Sequence, residues 1–150
     1  MATWAEFTDA APEIAALGLT LFEKFHIAYL ATVRKDGTPR VHPVSPIIAN
    51  GRLYVAMAPT SPKRLDHARD GRYMMHALPG KDDAEFWIRG RARRAGDETR
   101  AAVSDAAGHT VREIDWIFEY DIEEAMMAYW EHVGQPDTYP VREFWPRRDS

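Results

Sequence analysis

Apolar residues return at helical spacing between Pro12 and Phe25, where Ile14, Leu17, Leu21 and Phe25 share one face. Thr8 or Asp9 stands where the cap of that helix is expected. The pattern then turns to strand type in "HIAYLATVR", which ends at "KDGTP" with the turn pair Asp36-Gly37. "RVHPVSPIIA" reads as one strand carrying two prolines. Proline donates no ladder hydrogen bond, so this strand belongs at an edge or on a bulge. Asn50-Gly51 makes a second tight turn into "RLYVAMA".

"SPKRLDHARDG" predicts a short helix with Ser61 as N-cap, Pro62 as first helical residue and Gly71 as stop. "RYMMHAL" is a further strand, "PGKDD" a loop and "AEFWIRGRARR" a long strand. In the long strand Phe86, Ile88 and Ala92 face one side, while Trp87, Arg89, Arg91 and Arg93 face the other. "DETRAAVSDAAG" predicts a helix and "DWIFEYDI" a sixth strand. "EEAMMAYWEH" satisfies both periods, and the tail "VGQPDTYPVREFWPRRDS" is expected to be mostly loop.

Six or seven strands with three short helices make an α+β domain that is mainly β. Three consecutive strands joined by tight turns predict an antiparallel meander, and such sheets remove their edges by closing into a small barrel. At 150 residues with 45% apolar content, one domain covering residues 1–150 is expected. A net charge of −4 argues against a general nucleic-acid or membrane-surface binder. The absence of cysteine excludes disulfides, thiolate nucleophiles and cysteine-ligated metals. The first residues lack a basic-then-apolar signal pattern, and no apolar run approaches the ~20 residues of a membrane span. A cytoplasmic protein is the expectation.

"APTSPKR", following "RLYVAMA", holds the densest candidate chemistry. A helix starting at Ser61 would present free backbone N–H groups. Thr60, Ser61, Lys63 and Arg64 would add hydroxyls and cations, giving a phosphate-sized site. A capped helix with solvated cations is the plain alternative.

The order "YLATVRKDGTPRVHPV", "NGRLYVAMAPTSPKRLDHARDGRYMMH" and "EFWIRGRARR" resembles the pyridoxamine 5′-phosphate oxidase-like family of flavin-binding split barrels, over roughly residues 25–94. The resemblance implies an antiparallel split β-barrel, a homodimer, and flavin mononucleotide (FMN) in a groove between subunits. It implies that Ser61 and Lys63 hold the phosphate with Thr60 and Arg64 beside them. The strand Arg40, Val41, His42, Pro43 and Val44 would lie along the isoalloxazine ring. Trp87 and Arg89 of the long strand, or the tail around Trp145, would reach the flavin bound mainly by the other subunit. The oxidase that makes the vitamin ends in an arginine/histidine segment that "PVREFWPRR" does not match, so pyridoxamine phosphate is not expected as substrate. Relatives use a deazaflavin, biliverdin or haem. Arg69 and Arg72 are candidates for a longer anionic tail, or are solvated.

Other chemistries are weaker. The six histidines form no close H-x-x-x-H pair, so a metal site would need distant strands. Ser61 lies in no nucleophile elbow. Trp87, Trp116, Trp130 and Trp145 fit a core or an interface. Arg89, Arg91 and Arg93 fit nucleic acid, carboxylate pairs across a dimer, or solvent. Three functions follow: an FMN-dependent oxidoreductase acting on a small organic substrate, a deazaflavin-dependent reductase, or a non-catalytic module that holds flavin or haem.

Overall fold

The computed structural model describes residues 1–148. Two helices open the chain, α1 (Trp4–Ala10) and α2 (Pro12–Phe25). The first was not expected. Thr3 and Glu6 cap it reciprocally through side chain and backbone, a T-x-x-E box that satisfies two otherwise unpaired N–H groups. Neither Thr8 nor Asp9 caps α2. Thr8 Oγ1 donates back to Trp4 O inside α1, and Pro12, which needs no N–H partner, starts α2 after Ala11.

The strands are β1 (Ala28–Val33), β2 (Pro39–Val44), β3 (Ile47–Ala49), β4 (Arg52–Met57), β5 (Arg72–Ala77), β6 (Glu85–Arg94), β7 (Trp116–Glu131) and β8 (Tyr139–Trp145). Helix α3 (Lys63–Arg69) separates β4 from β5, and α4 (Arg100–Ala107) separates β6 from β7. The class is α+β and mainly β, as expected, but with eight strands and four helices. "EEAMMAYWEH" continues "WIFEYDI" as one 16-residue strand. Part of the tail is strand, not loop: β8 pairs with the second half of β7.

The meander is also corrected. Every pairing is antiparallel, but the order is β2-β1-β5-β6-β7-β4-β3. "RVHPVSPIIA" breaks at Ser45-Pro46, because the prolines interrupt the ladder, and its halves lie at opposite ends of the sheet. Only two residues join them. Three Cα steps of 3.8 Å bring those ends within about 11 Å of each other. The sheet therefore curls into a barrel, and it is split where β2 and β3 do not pair. The edge position expected for the proline strand holds.

Trp4, Phe7, Phe22 and Phe86 pack ring against ring where α1 and α2 cover β6. Gly18 permits this approach, since a Cβ there would lie 2.4 Å from Phe86 Cζ. A smaller cluster of Ile47, Ala49, Tyr54, Val103, Val111 and Ile117 sits under α4. Gly71 does not end α3, which stops at Arg69. It lies where a Cβ would come 2.4 Å from Ala92 O, so it serves the close pass of two backbones. No helix is long and apolar enough to cross a membrane among the described residues.

Candidate functional site

β4 ends at Met57, and Ser61 N then donates to Ala58 O at 2.9 Å to close a turn. Ser61 does not cap α3 with its side chain. Pro62 is already helical at φ −67°, ψ −26°, and the Ser61 carbonyl accepts from Arg64 N at 3.3 Å. The Ser61 hydroxyl instead accepts from Lys63 Nζ at 2.7 Å. With seven residues, α3 contributes little dipole, so any anion clamp here rests on side chains.

Lys63 is half-buried, and burial lowers the pKa of its ammonium. Among the described residues no carboxylate lies within 4.0 Å of Lys63, Arg64 or Arg94. Arg64 places its guanidinium carbon 4.5 Å from the Trp116 ring centroid, and Arg94 lies 3.8 Å from the same ring. Arg64 Nε is buried with no hydrogen-bond partner among the described residues. His67 lies behind this cluster, stacked on Phe118 and Tyr120, with Nε2 at 3.0 Å from the Tyr120 hydroxyl. Burial pulls its pKa down to about 4.

β2 runs beside α3. Its inward row is Arg40, His42 and Val44, opposite Thr32, Leu30 and Ala28 of β1. Arg40 is committed within the chain: its Nε donates to Asp66 Oδ2 at 2.7 Å, and Thr32 Oγ1 donates to the same oxygen at 2.7 Å. Asp66 is 3% exposed. Burial alone would raise its pKa, but the bonds from Arg40, Thr32 and Arg69 outweigh that and hold it below the usual carboxylate value. Arg69 also donates to Val33 O, and Arg72 is ion-paired to Asp70 at 2.7 Å. Both are exposed, and each is also paired within the chain.

His42 is half-buried, and its pKa is lowered by burial first and then by the charges of Lys63 and Arg40. Val44 is core, so only its backbone can meet a ligand. Val41 and Pro43 are exposed on the outer face, and Thr60 is exposed in the turn. One edge of β2 pairs with β1, and the other pairs with no strand among the described residues. A cleft of about 540 Å³ opens between this region and the β1–β2 turn, lined in part by Arg34, Arg40, Pro62, Leu65 and Arg69.

The remaining candidates lie elsewhere. Trp87 is on the outer face of β6, edge-on to Phe144 at 6.4 Å. Arg89 is ion-paired with Glu124. Trp145 packs on Phe7 at 5.3 Å and lines a groove against the α1–α2 elbow. It pairs with Ala125, nine residues along β7 from Trp116, or up to about 30 Å at strand rise. One chain does not bring Trp145 to Lys63.

Trp87 does belong to a row that no local motif announces. On the outer face Pro43, Tyr29, His76, Trp87, Met126 and Phe144 are successive cross-strand neighbours over six strands. Tyr29 is 48% exposed, and Val41 and Met74 beside the row are 58% and 37% exposed. Asp66, His67, Arg94 and Trp116 are the other residues that sequence reasoning passed over as site components. Only the alternation of strands could have located the outer row, and only knowledge of strand order could have joined its parts.

No protein-family model and no curated protein matches the chain. Solved structures do match in fold. A NimC/NimA family protein from Clostridium acetobutylicum superposes with a TM-score of 0.65 at 15% identity, over 90% of this chain and 97% of that one. A candidate pyridoxamine 5′-phosphate oxidase from Listeria innocua gives 0.61 at 16% identity, over 73% and 93%. A heme binding protein from Mycobacterium smegmatis gives 0.63 at 19% identity, over 85% of this chain. The chain spans 57% of that protein's length. The fold is therefore that of the pyridoxamine 5′-phosphate oxidase-like split barrels, and one of the proteins that share it is a heme binding protein.

Proposed function

We propose that the chain binds flavin mononucleotide as a homodimer, with one cofactor in each of two grooves between subunits, and acts as an oxidoreductase on a small organic substrate. The observation that carries this reading is Lys63: a half-buried ammonium, held on the Ser61 hydroxyl, without a carboxylate partner among the described residues, beside an edge strand. A phosphate is the partner such a cation lacks. The donor set fits the group. Ser61 and Lys63 hold the phosphate, Thr60 adds a hydroxyl, and the open edge of β2 offers backbone groups to a polar ring edge. The bound flavin supplies hydride or electron transfer. The protein's part is to hold the phosphate, keep one wall of the slot dry, and leave a ring face open.

The outer row supports the dimer. A second copy would cover Tyr29, Val41 and Met74, apolar area that a single chain leaves in water, and the half-buried Trp87 beside them. It would also bring the partner's tail, including Trp145, toward a groove that its own chain cannot reach with that residue.

A non-catalytic flavin or haem module is the second reading, favoured by the likeness to the Mycobacterium smegmatis protein. A deazaflavin-dependent reductase is the third reading, with Arg69 and Arg72, exposed and paired within the chain, as the candidates for a longer anionic tail. The absorbance spectrum of the purified protein, before and after adding FMN, separates these. A flavin spectrum that stays with the protein on gel filtration is expected. A Soret band with no flavin uptake supports the haem module and sinks the FMN reading.

A further inference from the structure

We infer that Arg64 and Arg94, laid over the Trp116 ring, form a second set of phosphoryl-binding donors beside Ser61 and Lys63. The identity of the ligand as a cofactor rests on the reading above; the anion site itself does not.

Three features of the site lead there. Buried N–H groups in folded proteins nearly always have an acceptor, and Arg64 Nε has none among the described residues. Two guanidinium carbons lie within 4.5 Å of one indole centroid, so the two charges are no more than about 9 Å apart. No carboxylate within 4.0 Å offsets either among the described residues. By contrast, Arg89, Arg91 and Arg93, on the same strand as Arg94, each face a carboxylate of β7. The ring accounts for where the two cations are held, since guanidinium groups stack well on indole. It does not supply the missing hydrogen-bond acceptor. An oxyanion balances the two charges and accepts from the outer N–H groups of the forks, and a phosphoryl group has enough oxygens to engage two guanidinium groups.

The elements explain the convergence. Trp116 opens β7 opposite Met57, the last residue of β4, from which the chain runs directly to Ser61. Arg94 closes β6 opposite Phe118. Three chain segments that are remote in sequence thus deliver Lys63, Arg64, Trp116 and Arg94 to one end of the barrel. A ligand with a diphosphate, or a monophosphate shared between the lysine and the guanidinium pair, matches this spread.

The test is a calorimetric titration of cofactor-free protein with inorganic phosphate and inorganic pyrophosphate. Arg94 is exposed, so Arg94→Gln is expected to fold, with an unchanged unfolding midpoint. It should bind pyrophosphate at least tenfold more weakly than the native chain. Arg94→Lys should recover part of the loss, and Arg112→Gln, which removes an arginine tied to Asp115, should bind within twofold of native. Native-like pyrophosphate affinity in Arg94→Gln, or no binding of either anion by the native chain, would overturn the inference. The same variants titrated with FMN keep the two ideas apart. Arg94-dependent pyrophosphate binding without any flavin binding sustains this site and removes the flavin reading. Phosphate-dependent FMN binding that ignores Arg94 does the reverse.

Discussion

Two arginine-rich regions of this chain look alike in sequence and are opposites in space. Along β6, Arg89, Arg91 and Arg93 stand on the outer face and meet Glu124, Glu123, Glu119 and Asp121 of β7 one strand away. In that ladder every arginine faces at least one carboxylate, and it explains why a run of arginines need not mean nucleic-acid binding. At the start of α3, Lys63, Arg64 and Arg94 gather with no carboxylate within 4.0 Å among the described residues, partly out of water. Cation count does not separate the two. The presence or absence of a facing carboxylate does, and that is decided by strand order.

The contrast can be broken most forcefully at Asp66, which neutralises Arg40 as β7 neutralises β6. Asp66→Ala removes the partner of Arg40 and of Thr32 from a buried position. A loss of about 3–5 kcal/mol in unfolding free energy is expected by urea denaturation, as for breaking a buried ion pair. A loss under about 1 kcal/mol would mean that the network is ornamental.

Acid sharpens the contrast next. His67 has a folded pKa of about 4 against an ordinary value near 6.5. The unfolded chain therefore takes up a proton that the folded one refuses. Stability is full above about pH 6.5 and falls as pH drops toward 4, by up to about 3 kcal/mol. Asp66 and Asp70, whose folded pKa values are held down by their arginine partners, act at lower pH. A thermal melting midpoint that is flat between pH 7 and 4.5 would count against a neutral buried His67. Substitution to Phe should remove most of the slope in that window.

The smallest effect is expected on the ladder. Arg93→Gln should cost less than about 1 kcal/mol, since its partners are reached from an exposed position. It should leave FMN affinity unchanged in a fluorescence titration. A tenfold loss of FMN affinity in that variant would erase the distinction between the two regions.

The local parts of the fold were legible, and the global ones were not. Asp36-Gly37 and Asn50-Gly51 announced their turns because only such residues accept the positive φ observed there, +84° at Gly37 and +50° and +72° at Asn50 and Gly51. The alternation in β6 placed Phe86, Ile88 and Ala92 on the buried face and Trp87, Arg89, Arg91 and Arg93 on the other, as observed. β8 was hidden by Pro140 and by the prolines on either side, which an edge strand tolerates when its N–H groups face outward. The meander failed at Ser45-Pro46 for a similar reason: a proline break and a continuing strand look the same until the partner strands are known. The site divides likewise. Ser61 and Lys63 are two residues apart and could be found as a motif, although the hydroxyl receives the lysine rather than capping the helix. Arg94 and Trp116 reach the same place only through the order β6-β7-β4, which no spacing in the sequence encodes.

The central claim is that Lys63 holds a cofactor phosphate. Its most direct test is the affinity of FMN and of riboflavin, which lacks the phosphate, for the native chain and for Lys63→Ala. The native chain should prefer FMN, and Lys63→Ala should lose about 1.5–3 kcal/mol of FMN binding, the size of a charge-assisted contact, while riboflavin binding stays the same. Equal binding of FMN and riboflavin by the native chain, or an unchanged FMN affinity in Lys63→Ala, would contradict it.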